Sequence, residues 1–112
     1  MKKKNTRKLP YSITTATLTK FNFLFELSDN TKSPIFVHQL LDLILTNINK
    51  ETKITNPSNG DIIQALAMAL AVRMKMVNAS EEVIEKIVID CVSKAMNASK
   101  NAQTVLPISG NS

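Results

Sequence analysis

Between Ile62 and Val72 only one residue, Gln64, is polar. The longer segment from Asp61 to Val77 keeps a helical period on two opposite sides at once. Ile63, Leu66, Ala67, Leu70, Met74 and Val77 fall on one face, and Ile62, Ala65, Ala69, Val72 and Met76 on the other. A helix that is apolar all round has to be covered from several directions, by other helices or by a second copy of itself. This segment therefore predicts a helical bundle with residues 59–77 at its centre, and it constrains the fold more than any other part of the chain.

Two further helices are written beside it. Ser33-Pro34 is a good start, with Ser as N-cap and Pro at the first helical position. Val37, Leu40, Leu41, Ile44, Leu45 and Ile48 follow as an unbroken stripe, giving a helix over 34–49. The segment 49–60, with Pro57 and Gly60 near its end, reads as a loop, and Ser58 with Asp61 three residues on makes a capping-box start. Ile84, Ile87, Val88, Cys91, Val92 and Ala95 form a third stripe, predicting a helix over 80–97 behind the acidic first turn of Glu81 and Glu82.

The stretch 12–28 supports two readings. Phe21, Phe23, Phe25 and Leu27 alternate at a strand's period, in a Thr-rich context. Ile13, Thr17, Phe21, Leu24, Phe25 and Ser28 also fit a helical stripe. A lone strand in a helical chain would have no partner but its own twin, which favours helix. Were Lys20–Leu27 a strand paired with a second copy, the chain would resemble ribbon-helix-helix repressors in outline only. Leu24 and Glu26 would then face outward, one apolar and one repelling phosphate. The expected fold class is all-α: a small bundle of three helices and an ambiguous first element. Residues 1–10 are expected to be a disordered basic arm, 11–98 a single helical domain, and 99–112 a flexible tail.

Charge and composition narrow the function classes. The net charge of +5 is carried by Lys2, Lys3, Lys4, Arg7 and Lys8, because the remaining nine basic residues balance nine acidic ones. Nucleic-acid or anionic-membrane contact would therefore rest on that arm, and these five side chains are the candidate phosphate contacts. No aromatic residue interleaves them, so the stacking signature of single-strand binders is missing. Two glycines, Gly60 and Gly110, cannot build a Gly-rich phosphate loop. One cysteine excludes an intramolecular disulfide and suits a reducing cytoplasm. The basic start lacks the apolar run of a signal peptide, and the 11 residues Ile62–Val72 fall short of the roughly 20 that span a bilayer. A cytoplasmic location is expected.

Candidate chemistry is sparse. His38 and Asp42 stand one helical turn apart and could form half of an acid–base pair, though such pairs are an ordinary feature of helix surfaces. Cys91 could be a nucleophile only with an activating base, and its place in a stripe predicts a small buried hydrophobe. One His and one Cys cannot close a zinc site without carboxylates. The Met residues around Arg73–Val77 could line a partner groove. The expectation is a non-enzymatic regulatory or adaptor protein without cofactor or metal. It would act through protein–protein contact as a homodimer or larger, through an oligomer interface of Ile62, Ala65, Ala69, Val72 and Met76. Its partners would be itself and another protein, and nucleic-acid binding through the arm is the alternative.

Overall fold

The computed structural model describes residues 7–108. In chain order it contains β1 (Lys8–Thr14), β2 (Lys20–Glu26), α1 (Pro34–Thr55), α2 (Asn59–Met76), α3 (Glu81–Lys100) and β3 (Gln103–Val105). The all-α expectation is overturned: the three helices accompany a three-stranded antiparallel sheet in the order β1-β2-β3, an α+β arrangement. The favoured helix over 12–28 is instead two strands and the turn between them.

The expectation failed on the missing partner. Residues 8–10, placed in the basic arm, are the first half of β1, and β1 supplies the antiparallel neighbour that a lone β2 would have lacked. The pairing sets Leu9 opposite Phe25, Tyr11 opposite Phe23 and Ile13 opposite Phe21, so the alternating residues share one sheet face. Phe23 and Phe25 stack with ring centroids 5.3 Å apart, and Tyr11 lies 6.5 Å from Phe25. Tyr11 is buried. The second edge of β2 is taken by β3, which pairs Lys20 with Val105 and Asn22 with Gln103. β2 thus finds its partners within its own chain.

A tight loop joins β1 to β2. Leu18 N–H donates to Thr15 O and Thr15 N–H to Thr19 O, each at 2.9 Å, while the Thr15 hydroxyl accepts from Thr19 N–H. This closes the loop with Leu18 in the left-handed region at φ 67°. Arg7 holds the exit from β2: its guanidinium donates to the carbonyls of Ser28, at 3.1 Å, and Thr31. Its own carbonyl accepts from Leu27 N–H. Leu27 and Ser28 are buried as a result.

The helices sit close to where their sequence signals put them. α1 runs to Thr55, past the expected loop start at Asn49, and is ended by Asn56 at φ 51° and Pro57. Ser58 caps α2 in a capping box: its hydroxyl accepts from Asp61 N–H, and the Asp61 carboxylate accepts from Ser58 N–H, both at 3.1 Å. Ser80 caps α3 through its hydroxyl, which accepts from Val83 N–H. α3 continues to Lys100 and β3 follows at Gln103–Val105, so both the end of α3 and β3 fall within the expected tail of 99–112.

The chain divides into two compact units. One contains the sheet and α3 from Ile89 onward; the other, Ile35–Val88, contains α1, α2 and the start of α3. In the first, Tyr11, Leu27, Ser28 and Ala98 are buried, and Lys94 joins α3 to β2. In the second, Ile84 is the one buried residue. Neither α1 nor α2 buries a single side chain. No helix among the described residues is long and apolar enough to cross a membrane.

Candidate functional site

Several apolar residues of the helices lie at the surface. On α1, Phe36 is 65% exposed and Leu40 59%; on α2, Ile63 is 67% exposed, Val72 60% and Met76 63%. Single exposed hydrophobes are ordinary, but contiguous apolar patches beyond a few hundred Å² are rare on monomers and mark interaction sites. Here each of two long helices carries several such residues.

Between α1 and α2 lies an open groove of about 600 Å³. Ile44, Ile48, Glu51 and Thr55 of α1 form one wall, and Asp61, Ile62, Ala65, Leu66 and Ala69 of α2 the other, with Pro57 at the closed end. The local causes are visible in the sequence. The stripe of α1 brings Ile44 and Ile48 to the same side, and the spacing 62, 65, 69 brings one face of α2 opposite them. The two Ala residues keep the floor low, and the charged groups, Glu51 and Asp61, stand near the α1–α2 turn. Three of the five expected interface residues, Ile62, Ala65 and Ala69, are thus brought together in one groove. Val72 and Met76 continue their helix face in the exposed region beyond it. The sequence does not mark the α1 wall, because the Ile44–Ile48 stripe has the spacing of an internal face. Periodicity marks a buried face but does not say which molecule buries it.

A second groove, of about 400 Å³, lies where α2 meets the start of α3, lined by Met74, Val77 and Ile84 among others. It is the region singled out for its Met residues, although Met76 points elsewhere, with its Sδ 3.7 Å from Arg73 Nη1.

The remaining candidates are scattered. His38 Nδ1 lies 3.2 Å from Asp42 Oδ2 on an exposed turn of α1, the helix-surface pair that the spacing suggested. Cys91 is exposed, contrary to the expected burial, although Ile84 of the same stripe is buried and Ile87 and Val88 are half-buried. Among the described residues no three His, Cys, Asp or Glu side chains are grouped to hold a metal ion. Of the candidate phosphate contacts, Lys2, Lys3 and Lys4 lie outside the described residues. Arg7 is turned onto the Ser28–Thr31 carbonyls, and Lys8 sits in β1 opposite Glu26.

One titrating group has a distinct environment. Lys94, about a quarter exposed, reaches Asp90 at 3.3 Å and Glu26 at 3.4 Å. Partial desolvation pulls its ammonium down, but the hydrogen bonds and charges of Asp90 and Glu26 outweigh it and hold Lys94 above the ordinary 10.5. This ties the sheet to α3 and is a structural link.

Set against protein-family models, curated proteins and solved structures, the chain matches none of them.

Proposed function

We propose that this chain is a non-enzymatic regulatory or adaptor module that works through protein–protein contact and whose functional form is a homo-oligomer. One observation carries the reading: α1 and α2 present their apolar faces with no buried residue on either helix.

The alternative through the basic arm has less to draw on than the charge count suggests. With Arg7 engaged on the Ser28 and Thr31 carbonyls, four of the five candidate cations remain, and a nucleic-acid contact through them would show a log–log salt slope of about −3.6. The experiment is light-scattering mass coupled to size exclusion, at low and high salt, with and without bulk nucleic acid. The expected result is a dimer or larger at both salt concentrations that ignores nucleic acid. A complex with nucleic acid that dissolves in salt would favour the arm, and a monomer at every concentration would end the oligomer reading.

A further inference from the structure

We infer that the α1–α2 groove is filled by α2 of a second copy of this chain, running antiparallel about a twofold axis midway between Ala65 and Ala69. This deepens the oligomer reading proposed above and rests on it; what it adds is the occupant, the direction and the register.

The occupant follows from the groove's chemistry. A segment that enters it must bring an apolar face without a charge that would lose its water, and Ile62–Val72 has no charged residue in 11 positions. The same segment forms one wall of the groove, so two copies can satisfy each other reciprocally, as a twofold interface requires. Ala65 and Ala69 allow the axes to approach to about 8 Å, the near limit for packed helices.

Direction and register follow from charge. Asp61 stands at the start of α2, and Arg73 and Lys75 lie in its last turn. A parallel pair would set Asp61 beside Asp61 and Arg73 beside Arg73, with the helix dipoles aligned unfavourably. In the antiparallel pair, a twofold between Ala65 and Ala69 puts each Ala65 level with Ala69 of the second copy. The same axis puts Ile62 level with Val72 of the second copy and Asp61 level with its Arg73. Small residues meet at the centre, large ones flank them, and opposite charges close both ends. Asp61 Oδ2 already accepts from Ser58 N–H, and a carboxylate has further lone pairs for a guanidinium. One register therefore satisfies shape and charge together. It also gives Val72, which lies outside the groove of its own chain, a place in the interface.

The test is directional disulfide trapping. In a Cys91→Ser background, an Ala65→Cys chain and a size-tagged Ala69→Cys chain are refolded together, oxidised and run without reductant, with light-scattering mass measured in parallel. At 1.5 Å of rise per residue, level positions can meet disulfide geometry, whereas two copies of position 69 are offset by about 6 Å along the axis. The expected result is a mixed cross-link at least tenfold more abundant than either self-link. A dominant Ala69→Cys self-link would overturn the antiparallel register. A dimeric mass with no cross-link in any combination would overturn the groove assignment while leaving self-association standing. A monomeric mass would overturn both.

Discussion

At the scale of single residues, Leu18 shows most clearly where local preference and the fold disagree. It is 67% exposed and held at φ 67°, where an L side chain with a γ-branch is strained by about 1–2 kcal/mol. The loop needs a left-handed residue there to close onto Thr15, and Asn adopts that conformation more readily while removing an exposed apolar surface. Leu18→Asn is expected to raise the stability of the chain by about 1 kcal/mol, read as a shift of the urea midpoint at unchanged slope. A loss of stability would mean that Leu18 is covered in the functional state. Arg7 teaches a different lesson about residues. Its charge reads from the sequence as one-fifth of a basic arm, yet its guanidinium serves as a clamp on the Ser28–Thr31 turn. A count of charges cannot distinguish a cation aimed at solvent from one aimed at a carbonyl 21 positions later in the chain.

Among the elements, the attachment of α3 to the sheet rests visibly on Lys94. Because its folded pKa is raised, its stabilising contribution is present below the unfolded value near 10.5 and is lost as pH rises through the higher folded value. The wild-type chain should therefore lose stability more steeply above about pH 10.5 than Lys94→Met does, with the two curves converging at the alkaline end. Parallel curves would show that the Glu26 and Asp90 contacts do not act through the charge. The elements themselves were unequally legible. All three helices could be placed from caps and stripes: Ser33-Pro34, the Ser58–Asp61 box, and Ser80 before Glu81 each mark a start that the structure keeps. The sheet was less legible, although Phe21, Phe23 and Phe25 alternate at a strand's period. Its partner strand includes Lys8, Leu9 and Pro10, which look like an arm by composition and become a strand only by pairing. β3 is three residues long, too short to leave a period.

For the whole molecule, the question is what covers α1 and α2. The helical, apolar character of α2 was legible. What a single sequence does not show is that α1 and α2 leave a groove between them, because a stripe read as core looks the same whether its own chain or another buries it. Ile44 and Ile48 illustrate this: their spacing is that of an internal face, and they stand as an open wall. With a second copy in the groove, folding and association are one event. In that case the unfolding temperature rises with protein concentration, by about 6 °C over a hundredfold range for a dimer of this length. Placing a charge on the groove floor with Ala69→Glu should abolish that rise together with the folded dimer, since a carboxylate desolvated between apolar helices has no partner. The most direct measurement is thermal unfolding of the wild-type chain across that hundredfold range, with Ala69→Glu as control. A concentration-dependent midpoint in the wild type, lost in the variant, is the predicted result. A cooperative transition at one fixed temperature, the same in both, would show that the chain folds alone and would contradict the account.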